Sequence, residues 1–579
     1  MATEREPGST TKQMPTREEI KRYLGERPAT FDRRQLLAIF GASAALIAAR
    51  DAAGAMTEAP QPVSARMLPQ TGPEAMIVTA NGLDLDELDP HYFKSIPSYF
   101  AVCNLYDNLF GYEYEELEDG GLTPVADEAG DWVLTPWLLD SWEVSDDQKT
   151  LTFKLKSGLT FSDGSPLTAN DVKATWDRGT GDTSPYSKTV LNLMTVMSPD
   201  QITAPDDATV VVTLEKPTVF ALKMIAVNVL DVMSAAALEE HATADDPTAH
   251  NWFKTNTLGS AAYTLANWTP GVSWEFVPNP NFGNPDALKN AGIINRVVPS
   301  PQERLSLLLN GDVDLSFNLL PKDLADLRSN PDIRLFNFDV PWPYYLGMNN
   351  RIPPFDKKEV RQAVSHAIPY QTIIDEVMFG FAKPVKSPVA EGMPTSDYSF
   401  WNYDGGPAKA QEVLETAGIS DVTFDLAVLI GFAQYEQIAV WIQSALVEAG
   451  ITVNVKKMTD AEYYDNFNRG QLQGFLGEWY SWVNDPMYHM YFNFLSTNTA
   501  TNATGYNNPQ FDEIILSGLY EPDAEKRAAL SREAQQIVVD DAPWGLLFQV
   551  NYVVAGRSNI SGYNWNTDVG ARYWMVSKE

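Results

Sequence analysis

The sequence predicts an α/β fold with parallel strands and more than one domain. The order helix, glycine, strand occurs over residues 407–430 and again over 438–455, with Gly418 and Gly450 ending the two helices. Apolar and polar residues alternate over 151–155, as in a half-buried strand. The chain has 579 residues, of which 44% are hydrophobic, so it is long enough to bury several cores.

Local signals place further helices along the chain. Thr168 and Asp171 have the spacing of a capping box before a helical pattern. Asp356 and Glu359 form a similar pair, which predicts a helix capped by Asp356. Pro369 interrupts the pattern that follows and predicts two short helices in place of a single long one.

The N-terminus has the pattern of an export signal. Arg33 and Arg34 precede an apolar run over residues 36–49, which is shorter than the roughly 20 residues that a helix needs to span a bilayer. The pair resembles a twin-arginine signal, and a small-x-small sequence predicts cleavage near Ala55, with residues 63–65 as a second candidate. The alternative is a short buried helix beside a basic pair.

Composition excludes several classes of function. The net charge of −34 disfavours nucleic acid and anionic lipid as partners. The one cysteine, Cys103, cannot form an intrachain disulfide and is expected in the core. The five histidines are scattered without the spacing of metal ligands, and common catalytic motifs are missing from the sequence. We therefore expect neither a metal, nor a cofactor, nor catalytic residues.

Several motifs in succession resemble one known family. Leu88-Asp89-Pro90-His91 is followed by a long matching stretch over 134–178, which includes Phe161-Ser-Asp-Gly-Ser-Pro-Leu-Thr-Ala-Asn-Asp-Val172. Later matches include Gly259-Ser-Ala-Ala-Tyr263, Asn279-Pro280 and Tyr506-Asn-Asn-Pro-Gln-Phe-Asp512. Over residues 76–579 the chain is similar to family 5 of the extracytoplasmic solute-binding proteins, which serve peptide, dipeptide and nickel ABC importers.

This resemblance implies a two-lobed periplasmic-binding-protein fold (type II-like, cluster C) with an extra subdomain in lobe one. The predicted division is a signal peptide over 1–55, a tether over 56–75, lobe one over 76–105, 206–340 and 549–579, the extra subdomain over 106–205, and lobe two over 341–548. It also implies a monomer in the periplasm that partners the permease subunits of an ABC importer, after export by the twin-arginine machinery. The solute is expected to be peptide-like and to lie between the lobes.

The candidate ligand-binding residues concentrate in the segment Glu478-Trp-Tyr-Ser-Trp-Val-Asn-Asp-Pro486. In peptide-binding relatives this segment holds a Trp, matched by Trp479, and then an Asp that pairs with the peptide's amino terminus, where this chain has Trp482. The resemblance further implies the ligand-binding candidates Tyr480, Asp485, Asn349 and Met348. Trp482 has the alternative of being a core aromatic, and Asp485 that of a structural residue.

Two other functions are compatible with this segment. A Trp face can stack on a sugar, so the same transport role for an oligosaccharide or another non-peptide solute stays open. Glu478 and Asp485 could also act as the carboxylate pair of a secreted glycoside hydrolase, although residues seven apart have no fixed separation.

Overall fold

The computed structural model describes residues 74–93, 95–181, 185–430, 433–499, 501–566 and 570–579. The predicted signal peptide and all but the last two residues of the predicted tether lie outside these ranges.

The strands are β1 (Met76–Asn81), β2 (Phe110–Tyr112), β3 (Tyr114–Glu116), β4 (Leu122–Pro124), β5 (Leu134–Pro136), β6 (Leu139–Val144), β7 (Thr150–Leu155), β8 (Ile202–Asp206), β9 (Thr209–Thr213), β10 (Tyr263–Thr269), β11 (Ser273–Pro278), β12 (Gly292–Val297), β13 (Leu315–Ser316), β14 (Ile333–Met348), β15 (Ala382–Lys383), β16 (Thr423–Leu429), β17 (Thr452–Met458), β18 (Gly474–Glu478), β19 (Trp544–Arg557), β20 (Ile560–Ser561) and β21 (Ser577–Lys578).

The helices are α1 (Ile96–Leu105), α2 (Ala169–Gly179), α3 (Pro185–Leu193), α4 (Ala221–Ile225), α5 (Ala235–His241), α6 (His250–Phe253), α7 (Pro301–Asn310), α8 (Pro321–Leu327), α9 (Lys358–Ala367), α10 (Tyr370–Glu376), α11 (Gly406–Thr416), α12 (Ala433–Glu448), α13 (Asp460–Asn468), α14 (Pro486–Phe494), α15 (Pro509–Gly518) and α16 (Ala524–Asp541).

One large mixed sheet organises the molecule. Its strand order is β10-β11-β12-β1-β13-β19-β14-β18-β16-β17, and β15 adds to β19. We call β10, β11, β12, β1 and β13 its first half, and β18, β16 and β17 its second half. The long strands β14 and β19 pair with each other over most of their length and lie between the halves. Their ladder shifts register between Asp339 and Pro343 and again between Tyr344 and Tyr345, so it is irregular where the two halves meet.

The repeated helix-glycine-strand units are confirmed. They form α11 followed by β16 and α12 followed by β17, and the two strands pair in parallel from Thr423 opposite Thr452. Gly418 and Gly450 have φ values of +66° and +76°, the left-handed region that glycine adopts most readily at the end of a helix. The sequence therefore predicted both the elements and their parallel order.

A smaller antiparallel sheet with the order β6-β7-β9-β8 packs with α2. The predicted strand over 151–155 is β7, and the predicted capping box at the start of α2 is present. The Asp171 carboxylate accepts a hydrogen bond from the Thr168 backbone N–H at 2.8 Å.

The expected cap at Asp356 is wrong. Helix α9 begins at Lys358, and its N-cap is Lys357. Residues 352–357 form successive turns, in which the Phe355 N–H bonds to the Ile352 carbonyl and the Lys357 N–H to the Pro354 carbonyl. These turns move the start of the helix past Asp356. The break at Pro369 is confirmed, because α9 and α10 are separate helices.

A buried ion pair connects the matched motif at residues 88–91 with helix α2. Arg178 donates two hydrogen bonds to the Asp89 carboxylate, at 2.9 and 2.6 Å, and His250 Nδ1 lies 3.0 Å from it. Burial alone would raise the pKa of Asp89, but Arg178 and the hydrogen bond with His250 outweigh it and hold the pKa well below the usual range. The motif thus attaches the smaller sheet and its helix to the main body.

Cys103 is buried on α1, as expected. Its Sγ lies 3.4 Å from the Phe100 carbonyl oxygen. In the part of the chain that the structure describes, no helix is long and apolar enough to cross a bilayer.

Candidate functional site

A cavity of about 460 Å³ lies where the two halves of the main sheet meet. Asn81 is the last residue of β1, Phe317 follows β13, and Glu478 is the last residue of β18. The cavity therefore opens at the carboxyl ends of strands from both halves, which is where open α/β sheets bind ligands. Helices α7 and α12 also begin at the cavity, through Pro301 and Gln434.

The central strands contribute an aromatic wall. Trp342 and Tyr344 of β14 and Phe548 of β19 line the cavity together with Tyr435 of α12. The Tyr344 ring stacks on Phe548 with centroids 4.9 Å apart, and its centroid lies 6.3 Å from that of Tyr435 in an edge-on arrangement. The Trp342 and Tyr344 centroids are 6.5 Å apart. These flat surfaces can hold an apolar moiety, a sugar ring or a cation.

Among the described residues that line the cavity, Arg304 and Glu478 have charged side chains. Arg304 belongs to α7, and its guanidinium donates to the carbonyls of Val298, Pro299, Phe317 and Asn318 at 2.6 to 2.9 Å. Burial lowers the pKa of Arg304 to about 10, so it stays cationic at neutral pH. These two ionisable side chains thus come from different elements, Arg304 from helix α7, which connects β12 with β13 of the first half, and Glu478 from β18 of the second half.

Glu478 is buried in a cluster of tyrosines. Its backbone lies directly opposite that of Tyr344 in the β14–β18 ladder, which brings the two side chains to the same face. The pKa of Tyr344, Tyr345 and Tyr435 is raised, mainly by burial. The charge of Glu478 is the second cause of this increase for all three tyrosines. These three tyrosines are therefore neutral hydroxyls at neutral pH.

The predicted aromatic residues of segment 478–486 are buried and do not line this cavity. Trp482 is 2% exposed, and its ring meets that of Tyr99 on α1 with centroids 5.8 Å apart. Tyr480 packs on Trp342 at 4.9 Å, and Trp479 stacks on Phe492 at 6.1 Å. Trp482 therefore connects segment 478–486 with helix α1.

Asp485 has a structural role in the described chain. Its carboxylate accepts hydrogen bonds from the backbone N–H groups of Met487 and Tyr488 and so caps α14. Arg527 donates to it at 2.7 Å, and Lys223 lies 4.0 Å away. Burial would raise the pKa of Asp485, but these two cations outweigh it and hold the pKa at about 2.

Asn349 and Met348 lie at the end of β14. The Asn349 side-chain amide donates to the carbonyls of Gly470 and Leu472, at 3.0 and 2.8 Å, and Met348 pairs with Gly474. Neither residue is exposed, and neither lines the 460 Å³ cavity. A ligand contact by Asn349 or Met348 stays a prediction. The same holds for the four candidates of segment 478–486, which are Trp479, Tyr480, Trp482 and Asp485.

The cavity also contains residues that the sequence reasoning missed. Arg304, Trp342, Tyr344 and Tyr435 were not singled out. Trp342 and Tyr344 do stand in an aromatic run just before the matched Tyr345-Leu-Gly-Met-Asn349 motif, so the sequence carried a signal for them. In the described ranges, no group of three or more potential ligands could hold a metal ion.

Comparison with known proteins identifies the family of this chain. The sequence profile of the bacterial extracellular solute-binding proteins, family 5 Middle, matches residues 133–501. The chain belongs to this family. Members bind solutes, and the match covers both the smaller sheet and segment 478–486.

Curated relatives extend the match to most of the chain. The probable D,D-dipeptide-binding periplasmic protein DdpA of Escherichia coli (strain K12) is 30% identical over 503 residues, which cover 85% of this chain and 92% of DdpA. The glutathione-binding protein GsiB of Shigella dysenteriae serotype 1 is 26% identical over 510 residues, which cover 85% of this chain and 93% of GsiB. Both relatives are named as binding proteins, in agreement with a family of solute-binding proteins.

Solved structures show the same fold. The periplasmic binding protein DppA from Helicobacter pylori, in complex with the peptide STSA, has a TM-score of 0.74 and 22% identity, and the match covers 88% of this chain and 99% of DppA. NikA from Brucella suis, in complex with Fe(III)-EDTA, has a TM-score of 0.75 and 19% identity, with 87% and 100% covered. The chain therefore has the two-lobed fold of periplasmic binding proteins.

Proposed function

We propose that this protein captures a peptide-like solute between its two lobes and delivers it to the permease subunits of an ABC importer. The observation that carries the proposal is the cavity at the strand ends, to which Arg304 of α7 and Glu478 of β18 contribute side chains of opposite charge. A dipeptide has a carboxylate and an ammonium group and matches this distribution of charge. DdpA and GsiB, named for D,D-dipeptides and glutathione, give the same class of solute.

We also propose the predicted division into lobes. In this division β14 and β19 carry the chain between lobe one (76–105, 206–340 and 549–579, with the extra subdomain over 106–205) and lobe two (341–548). The register shifts at residues 339–345 support a hinge at this crossing, because an irregular ladder bends at lower cost than a regular one. The contact between Trp482 and Tyr99 would then form on closure.

Export is the remaining part of the proposal. Residues 1–55 would be a twin-arginine signal cleaved near Ala55, which places the mature protein in the periplasm as a monomer. Mass spectrometry of the protein from the cell envelope, with and without Arg33→Lys/Arg34→Lys, tests this. We expect a mature N-terminus near residue 56 in the unsubstituted protein and retention of the precursor in the variant.

A binding screen tests the proposed solute. Calorimetric titration of the mature protein would compare D-alanyl-D-alanine, L-alanyl-L-alanine, glutathione and maltotriose, together with thermal unfolding of each mixture. A dipeptide at 100 times its dissociation constant should stabilise the fold by about 2.7 kcal/mol. Binding of maltotriose alone would replace the peptide by a saccharide, and turnover of any of these compounds would contradict a binding role.

A further inference from the structure

We infer that Glu478, Trp342, Tyr344 and Tyr435 form a subsite for an organic ammonium group of the solute. The inference rests on the proposed function, because it names the chemical group that one end of the same cavity recognises. It assigns to Glu478 the contact with a positive charge, in a chain that has Trp482 where peptide-binding relatives have an aspartate.

The backbone register brings the members of this subsite together. Glu478 ends β18 directly opposite Tyr344, and both line the cavity. Trp342 lies two residues before Tyr344 on the same strand, and Tyr435 is supplied by the first turn of α12. A carboxylate is therefore positioned among three aromatic rings of the same cavity wall.

The chemistry of these side chains is complementary to an alkylammonium ion. A carboxylate accepts charge-assisted hydrogen bonds from N–H groups, and the faces of Trp and Tyr attract a cation through their quadrupoles. Burial strengthens both interactions, because water does not screen the charges. Burial also raises the pKa of the two tyrosines, so their hydroxyls stay neutral and add no competing anion.

Both acids of the segment have polar partners: Glu478 hydrogen-bonds with Tyr344, which belongs to the same subsite, whereas Asp485 is held by a helix end and a cation. Asp485 caps α14 and pairs with Arg527. Lys223, which lies 4.0 Å from Asp485, also pairs with Asp131 at 2.6 Å. Arg304, on the opposite lobe, carries the cavity's positive charge. A solute with both an amine and a carboxylate would therefore lie with its amine toward lobe two.

The test compares ligands that differ only at the amine. Calorimetric titration of the mature chain would use D-alanyl-D-alanine, L-alanyl-L-alanine, their N-acetyl derivatives, and the simple cations choline and putrescine. On the unsubstituted protein, N-acetylation of a bound dipeptide should weaken binding by about 10- to 100-fold, the range for loss of one hydrogen bond to a charged group. This comparison needs no variant and so does not depend on any variant folding.

Variants connect that loss to Glu478. Glu478→Gln keeps the shape but removes the charge, and it should weaken binding of the free-amine ligand by a similar factor while leaving the N-acetyl ligand unaffected. Glu412→Gln, an exposed acid on α11 with a side chain 64% accessible, is the matched control and should leave affinity unchanged. Thermal unfolding of each variant checks that the fold is kept.

The outcomes separate this inference from the proposed function. Equal binding of free and N-acetylated dipeptides, or a Glu478→Gln effect below threefold, overturns the ammonium subsite while a peptide carrier remains. Binding of choline or putrescine that depends on Glu478, with no peptide bound, supports the subsite and overturns the peptide solute. If no ammonium compound of the panel binds, both are overturned.

Discussion

Removing one member of the buried pair Arg178–Asp89 should destabilise the protein severely. The side chains are 5% and 0% exposed, and two hydrogen bonds of 2.9 and 2.6 Å join them. Arg178→Met leaves the Asp89 carboxylate buried without its main counter-charge, and Asp89→Asn does the same to Arg178. Each single substitution should lower the free energy of unfolding by about 3–5 kcal/mol.

A double-mutant cycle in urea measures this coupling. The double variant Asp89→Leu/Arg178→Met buries no isolated charge, so it should lose much less than the sum of the single losses. Lys409→Ala is the control, because Lys409 and Glu412 form an exposed pair that contributes about 0–1 kcal/mol. Additive losses in the double variant, or single losses no larger than that of the control, would refute the reasoning that the pair is desolvated.

Three further predictions address acid stability, packing and binding. Burial lowers the pKa of His489 from 6.5 to about 3 in the folded protein. As the pH falls below 6.5, the imidazole is protonated in the unfolded chain but not in the folded one, so the free energy of unfolding decreases. His489→Gln should reduce that loss by up to about 1.4 kcal/mol per pH unit in urea titrations between pH 5 and 6.5, and an unchanged slope would contradict it. Gly259→Ala would place a Cβ 2.0 Å from the Leu105 carbonyl oxygen and should lower the melting temperature by several degrees. The control Gly283→Ala, which has open space around the new Cβ, should leave the melting temperature unchanged. Equal changes in melting temperature for the two variants would exclude the clash. Trp482→Ala should weaken dipeptide binding by more than ~10-fold with the fold intact, and unchanged affinity would make Trp482 a core residue only.

The elements of the fold were largely predictable because their signals are local. The units at 407–430 and 438–455 carry both periodicity and terminal glycines, and parallel pairing follows from the order of helix and strand. The prediction of a helix cap at Asp356 was wrong for an equally local reason. The turns over 352–357 already provide hydrogen bonds for backbone groups that a cap at Asp356 would satisfy, and α9 begins only at Lys358.

The site was much less predictable because it is assembled from distant segments. Asn81, Phe317, Glu478 and Tyr552 meet only through the strand order of the large sheet, which periodicity does not give. Sequence reasoning found segment 478–486 and considered Glu478 as one acid of a catalytic pair with Asp485. Asp485 instead caps a helix and pairs with Arg527, and the family's role is solute binding.

The burial of Cys103 makes this chain convenient for an optical test of the proposed lobe closure. It is the only cysteine in the sequence, so no other native thiol competes for a maleimide dye. Cysteines introduced at Val272, between β10 and β11, and at Val447 on α12 could carry a donor and an acceptor fluorophore with the native thiol left in place, because these two residues are 52% and 61% exposed. Energy transfer between them would report the opening and closing of single molecules as solute is added.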